Sequence, residues 1–412
     1  MITIAKAVIG AGFGDEGKGL MTDFLAAENS GAVVVRTNGG AQAGHTVVTP
    51  EGIRHVFHHV GSGALAGART HLSRFFVSHP MFFLSEVEKL RRIGANTNVT
   101  IDPRALVTTP YDIMVNQIIE SRRGDVRHGS CGMGFGETIE RSSKRFFKIT
   151  VADLGKDLRV ILIRIRSQWV SRRLRKLGVE ELTDEEIDLI FDDGILESFV
   201  TDCARFVELV RIRDDADIGR EGTVIFEGAQ GLMLDQDYGA FPHVTRSNTG
   251  MPNIAAVCAE AGISSVDVHY MTRAYSTRHG AGPLRNETKS LKGVEVVDET
   301  NTPNDWQGEL RLAPLDVDGI VHAINYDLWR VKHRIEVRPG IFITCTDQIH
   351  GDTLPIEVSG RIFPENKISF LSEYTRDWHP HGLYGVSDGP TRENVKMSML
   401  RQRELRRDKE LA

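Results

Sequence analysis

Long apolar runs are what this 412-residue sequence most clearly lacks. No stretch approaches the roughly 18 to 20 continuous apolar residues of a membrane helix, so no helical span is expected. Cysteine is scarce as well. Cys131, Cys203, Cys258 and Cys345 are widely scattered, which argues against a disulfide framework or a zinc site and for a reducing compartment. An excess of basic charge is also missing. Fifty Lys and Arg stand against 56 Asp and Glu, and a net charge of −6 speaks against a general binder of nucleic acid or anionic membranes. The N-terminal stretch is short, carries Lys6 and runs straight into a glycine-rich turn. It reads as a first strand and not as a signal peptide, and a cytoplasmic location is expected.

What is present is ordinary globular material, 41% hydrophobic and 26% charged, in a chain long enough to bury a large core. Short β-rich runs recur at Ala5 to Ile9, Ala32 to Val35, Val224 to Phe226, Val266 to Met271 and Ile341 to Thr344. Helical periodicity lies between them, as at Met81 to Arg92 and Gly319 to Lys332. The alternation predicts an α/β fold with a large, mostly parallel central sheet flanked by helices. The stretch from about Val151 to Asp217 has few glycine turns and is periodic at helical spacing, so it reads as a helical insertion. Its basic run Arg172, Arg173, Arg175 and Lys176 reads as a solvated face. The tail Lys396 to Leu411 reads as a polar helix. Neither repeats nor low-complexity linkers break the chain, and residues 1–412 are expected to form one domain.

The most informative segment is Gly12-Phe13-Gly14-Asp15-Glu16-Gly17-Lys18-Gly19, set between the first apolar run and a helix start. A strand, a glycine-rich turn and a helix N-terminus together present backbone N–H groups to phosphate. Its spacing matches the phosphate-loop pattern, but Gly19 stands where that pattern wants the Ser or Thr that holds magnesium. Asp15, inside the loop, is the obvious substitute. A carboxylate facing phosphate is costly unless a cation lies between them or the carboxylate exchanges protons in a reaction.

Further clusters follow the other strands. Asn38-Gly39-Gly40-Ala41-Gln42-Ala43-Gly44-His45-Thr46 offers a carbonyl at Gly44 for a cation and a donor at His45 for developing charge. Gly129-Ser130-Cys131-Gly132-Met133-Gly134-Phe135-Gly136 has the composition of an anion nest. In Phe226-Glu227-Gly228-Ala229-Gln230-Gly231 the Gln230 amide suits a lactam edge. Ala274 to Pro283, then Asp347 and Ser387-Asp388-Gly389-Pro390, complete the set. An aspartate that accepts from two adjacent N–H groups suits a guanine edge.

In combination these segments resemble the adenylosuccinate synthetase family, with landmarks in the family's order from Gly12 to Pro390. The resemblance implies a GTP-dependent ligase that joins L-aspartate to carbon 6 of a 6-oxopurine nucleotide through a 6-phosphoryl intermediate. It implies Asp15 as general base, with His45 and Lys18 assisting phosphoryl transfer, and Mg2+ held by Asp15 and the Gly44 carbonyl. GTP falls to Gly14, Glu16, Gly17, Gly19 and Thr46 for its phosphates, and to Asp347, Ser387, Asp388, Gly389 and Pro390 for its base. The nucleotide substrate falls to Gln42, Ser130, Cys131, Gln230 and Thr245. Arg145, with Arg141 as the alternative, falls where the family lends an arginine to its neighbour's nucleotide, which implies a homodimer. The partners implied are small molecules, with no nucleic acid and no membrane.

Three departures from the family pattern stand out. The loop that serves the amino acid reads Asn301-Thr302-Pro303-Asn304-Asp305-Trp306-Gln307-Gly308-Glu309-Leu310-Arg311, leaving Thr302 and only Arg311 of an arginine cluster. Arg273, Arg278 or Arg285 is the alternative source of charge. Gln42 replaces an asparagine. Cys131 and Cys345 replace a threonine and a lysine. These changes leave two other expectations open. One is the same chemistry on GMP or dGMP, as in some bacteriophage relatives. The other is a non-catalytic nucleotide-binding dimer.

Overall fold

The computed structural model describes residues 3–124, 130–296, 309–366 and 383–397. Its frame is a ten-stranded sheet: β1 (Ile4–Gly10), β2 (Val33–Arg36), β3 (Arg69–Leu72), β4 (Val99–Ile101), β5 (Val210–Ile212), β6 (Thr223–Gly231), β7 (Ser265–Arg273), β8 (Glu336–Thr344), β9 (Leu383–Ser387) and β10 (Val395–Met397). The order across the sheet is β10-β9-β8-β7-β1-β6-β2-β3-β4-β5. Every neighbouring pair is parallel except β9 with β10. Strand β1 lies at the centre, and every residue after Ile4 in it is buried. A parallel strand covered on both faces is mostly apolar, which is why Ala5 to Ile9 reads so plainly despite the buried Lys6.

Helices cover both faces. One core joins the strands to helices Met251–Ala261 and Val317–Val331. A smaller one lies under α1 (Lys18–Glu28). The third gathers α2 (Pro80–Arg92), α3 (Pro110–Arg123) and the helices of residues 159–209. Helix α2 shows how the sequence directs this. His79 caps it by accepting from the Phe82 amide at 3.4 Å, Pro80 opens it, and Phe83, Leu84, Val87 and Leu90 are buried. Each such side chain contributes about 1.5–3 kcal/mol when buried.

The expected helical stretch runs from Arg159 to Leu209, with a π-helical turn at Ile165–Val170, and then returns to the sheet as β5. The expectation for the tail fails at its start. Lys396 and Met397 lie in β10, antiparallel to β9, because Val395 and Met397 pack on the core under α1. The rest of the tail lies outside the described residues. Among the described residues no helix is long and apolar enough to cross a membrane.

Candidate active site

The carboxyl ends of β1, β6 and β7 meet on one side of the sheet, where ligands bind in open α/β folds. Leaving β1, the chain takes left-handed backbone at Gly14 (φ 100°), Asp15 (φ 62°) and Gly17 (φ 83°) before α1 begins at Lys18. Gly17 has no alternative, since a Cβ there would come within 2.8 Å of Thr344 Cγ2. Gly19 is fixed by a different neighbour. The hairpin strand His45–Val48 passes so close that a Cβ on residue 19 would lie 2.6 Å from the Thr46 carbonyl oxygen. The hydroxyl of an ordinary phosphate loop therefore has no room.

The loop amides are not idle. Gly12 and Gly14 donate to Glu16 Oε1 at 3.0 and 2.9 Å, and Glu16 Oε2 lies 3.4 Å from Lys18 Nζ. Burial raises the Glu16 carboxyl above its ordinary value, with Lys18 pulling the other way. Glu16 thus takes two of the loop amides that the sequence assigns to phosphate.

A cavity of about 630 Å³ opens beside this loop. It gathers Gly14, Asp15 and Lys18 from the loop, Gln42, Gly44 and His45 from the segment after β2, Ser130 and Cys131 from the segment before α4 (Phe135–Ser142), Gln230 from the end of β6 and Thr245 after it. Gln230 reaches it by left-handed backbone (φ 63°) within an irregularity of the β1–β6 register between Glu227 and Gly231. Its Oε1 and the Nε2 of Gln42 are buried without a hydrogen-bond partner among the described residues. Unpaired buried polar atoms are expensive, so both are available to a ligand.

One residue quoted in a motif but given no role is central here. Glu227, wholly buried in β6, accepts from His45 Nδ1 at 2.7 Å and from the Ser62 amide at 3.1 Å, and it also bonds the Ser62 hydroxyl. The Arg36 Nε lies 3.8 Å away. Burial works to raise the Glu227 carboxyl, but His45, Arg36 and Ser62 outweigh it and hold it ionised. Burial pulls the His45 imidazole well below its ordinary value, against the attraction of Glu227. An ionised carboxylate can only accept, so the proton sits on Nδ1 and Nε2 is left for the cavity. The sequence signal was a single acid in the strand Val224-Ile225-Phe226-Glu227.

Comparison with known proteins decides the family. Residues 7–305 match the family described as adenylosuccinate synthetase. The chain belongs to the adenylosuccinate synthetase family. The adenylosuccinate synthetase of Halothermothrix orenii is 30% identical over 371 residues, covering 87% of this chain and 83% of the relative. That of Clostridium botulinum strain Eklund 17B is 34% identical over 313 residues, covering 73% and 67%. Among solved structures, the fully ligated adenylosuccinate synthetase of Plasmodium falciparum superposes with a TM-score of 0.67 at 19% identity, covering 96% of this chain and 99% of that one. The succinoaminodeoxyadenylate synthetase of cyanophage S-2L, bound to dGMP and dATP, gives 0.58 at 15% identity and 98% coverage of both. The fold is that of the family, whose members are GTP-dependent ligases of purine biosynthesis.

Other family positions are less simply placed. Asp347 is exposed, and Thr346 Oγ1 donates to the Ser387 carbonyl at 2.9 Å, so the two parts of the expected guanine cradle adjoin. Asp388 is paired with Lys396, and Ser387 Oγ donates to the Gly389 carbonyl at 2.7 Å beside Pro390. Arg392 pairs with the buried Asp23 of α1 at 3.0 Å, tying this segment to the loop helix. None of these residues lines the cavity.

The anion-nest expectation needs correction. The Gly134 amide donates to Asn116 Oδ1 at 3.1 Å, the Gly132 amide to Ser130 Oγ at 3.2 Å, and Ser130 itself to Asn116 at 2.9 Å. The loop is closed on Ser130 and on Asn116 of α3, and Gly129 lies outside the described residues. Arg141 is wholly buried and forked on Asp112 at 2.8 and 2.9 Å, so it cannot reach another subunit. Arg145 is exposed beside Phe146 and stands away from the cavity.

Arg311 is held by Glu287 and by the carbonyls of Gly280 and Gly282 at 3.0 and 2.8 Å. Thr302 and its loop through Gly308 lie outside the described residues. Of the alternative arginines, Arg285 is turned to Glu357 at 3.1 Å, Arg273 donates to the Asp15 carbonyl at 2.6 Å, and Arg278 alone of the three lines the cavity. Arg173 is no solvated residue. It also lines the cavity, in a two-pronged pair with Glu137 at 2.7 and 2.9 Å.

The oxygen donors on hand fit magnesium. Asp15 supplies one carboxylate and Gly44 one carbonyl on the same cavity, and Mg2+ in nucleotide sites takes one or two carboxylates with the rest from phosphate and water.

Proposed function

We propose that the chain is the ligase that joins L-aspartate to carbon 6 of IMP, with GTP converted to GDP and phosphate. The observation that carries this reading is the convergence of Asp15, Lys18 and the Glu227-braced His45 on one cavity with the unpartnered Oε1 of Gln230. A pure binder gains nothing from a carboxylate and a braced imidazole beside phosphate.

In the proposed reaction Asp15 takes the N1 proton of the purine and the electron pair moves to the 6-oxygen. That oxygen attacks the γ-phosphorus of GTP; the new O–P bond forms as the bond to the β-phosphate oxygen breaks. Lys18 offsets charge on the transferring group. Phosphate charge beside His45 raises its proton affinity, and the protonated Nε2 then donates to the developing oxyanion while Glu227 balances the imidazolium. Magnesium on Asp15 and Gly44 would supply further neutralisation of phosphate charge. The aspartate amine then attacks carbon 6 and the 6-oxygen leaves as phosphate. Gln42 and Gln230 hold the base, since the two together offer one donor and one acceptor to its lactam edge.

A second reading, the same reaction on GMP or dGMP, is favoured by the same Gln230 acceptor, because a 2-amino group adds an N–H donor to that edge. Phosphate release from GTP with aspartate, compared across IMP, GMP, dIMP and dGMP, separates the two. Dependence on IMP and aspartate together supports the first reading. A preference for GMP or dGMP supports the second, and no stimulation by any pair, with GTP bound, overturns both.

The proposed assembly is a homodimer with Arg145 reaching the partner's nucleotide, supported by its exposure beside an exposed Phe146. The proposed unit is the whole chain with the helical stretch as an insertion. The proposed setting is the cytoplasm, supported by four cysteines without disulfides.

A further inference from the structure

The cavity wall at Thr245 and Arg246 carries charge that no step above uses. Arg246 follows Thr245 on the cavity wall and lies across the start of α4, its aliphatic stem against Gly136. Arg246 Nη1 donates to Glu140 Oε2 at 2.7 Å, and the side chain is 47% exposed. Glu140 has two more cations near it, Arg173 at 3.7 Å and Lys176 at 3.6 Å.

A 5′-phosphate is close to a dianion and is best met by a guanidinium. Ser130, Cys131 and Thr245, the residues expected to meet the nucleotide on this wall, are neutral. Ser130 is committed to Asn116, and burial pushes the Cys131 thiol up to about 11. Most cations on the cavity are also committed. Lys18 belongs to the loop, Arg123 is paired with Glu120, and Arg173 is forked on Glu137. Arg278 gives its Nε, Nη1 and Nη2 to the carbonyls of Ala281, Pro283 and His243. Arg246 is engaged through one nitrogen with one carboxylate, next in sequence to Thr245.

We propose that Arg246 is the cation that receives the 5′-phosphate of the substrate nucleotide, with Thr245 beside it, and that Glu140 holds it ready while the site is empty. The exchange leaves no carboxylate stranded, because Arg173 and Lys176 remain beside Glu140. This inference rests on the proposed function only in that a nucleoside monophosphate occupies this cavity.

The test is calorimetry on the full chain with IMP, inosine and GTP, comparing wild type with Arg246→Ala and Arg246→Lys. Arg246→Ala is expected to weaken IMP at least about tenfold while inosine and GTP stay within about twofold, and Arg246→Lys to recover part of the loss. Unchanged IMP affinity in Arg246→Ala overturns the inference, and so does an equal loss of inosine, which would mark a structural role. If wild type binds and turns over the nucleotide and Arg246→Ala does so equally well, the inference alone falls. If wild type binds GTP but neither IMP nor GMP, the proposed function falls with it.

Discussion

His45 Nδ1 lies 2.7 Å from Glu227 Oε1, and the two are brought together across 182 residues of chain at the buried middle of β6. The pairing fixes which nitrogen of the imidazole faces the cavity, and Ser62 fixes the carboxylate in turn.

Glu227→Gln is expected to lower kcat roughly a hundredfold, the scale of losing a well-placed proton donor, with a smaller change in the KM for GTP. It also leaves the wholly buried Arg36 without its anion, so the melting temperature should fall. Steady-state kinetics on the folded variant with a thermal melt check both. Undiminished kcat would remove Glu227 from the mechanism.

Asp15 sits at φ 62°, a region that asparagine tolerates better than alanine. Asp15→Asn therefore removes the base while keeping the turn. Turnover should vanish and GTP binding should remain measurable by titration. Turnover near the wild-type rate would refute the assignment.

Gly19→Ser would restore the hydroxyl of an ordinary phosphate loop, but its Cβ would press on the Thr46 carbonyl at 2.6 Å. Two backbone segments would have to move apart, at a cost of about 1–3 kcal/mol. A lower denaturation midpoint and weaker GTP binding are expected. Unchanged values would mean that the His45–Val48 hairpin yields freely.

Asp327 is buried against Tyr270 and the Met251 amide at 2.8 and 2.9 Å, and burial raises its carboxyl from 3.8 to about 7. Between those values the native state holds a proton that the unfolded chain has lost. Its contribution is therefore full below about pH 4 and lost as pH rises through about 7, at up to about 1.4 kcal/mol per pH unit. Asp327→Asn should flatten this decline between pH 5 and pH 8 in urea titrations. An unchanged slope would show that Asp327 ionises normally.

The central sheet was legible because its buried parallel strands are rich in apolar and β-branched residues, so β1, β2, β6, β7 and β8 announced themselves. Strands β3, β4 and β5 did not, being three or four residues long with Arg, His or Thr among them. Most side chains assigned to the cavity could be named from turns that follow strands. Their supports could not, because Glu227 acts across 182 residues and Asn116 closes the Ser130 loop only once α3 packs beside it. Arg173 misled for a related reason. A basic run looks solvated until the acid that one of its members meets, Glu137, is seen on another helix.

The most direct test of the chemistry follows the 6-oxygen itself. With IMP labelled at that position with 18O, the account predicts that the label appears in the released phosphate, one atom per turnover. Phosphate free of the label would mean that water attacks GTP, and would contradict attack by the purine oxygen.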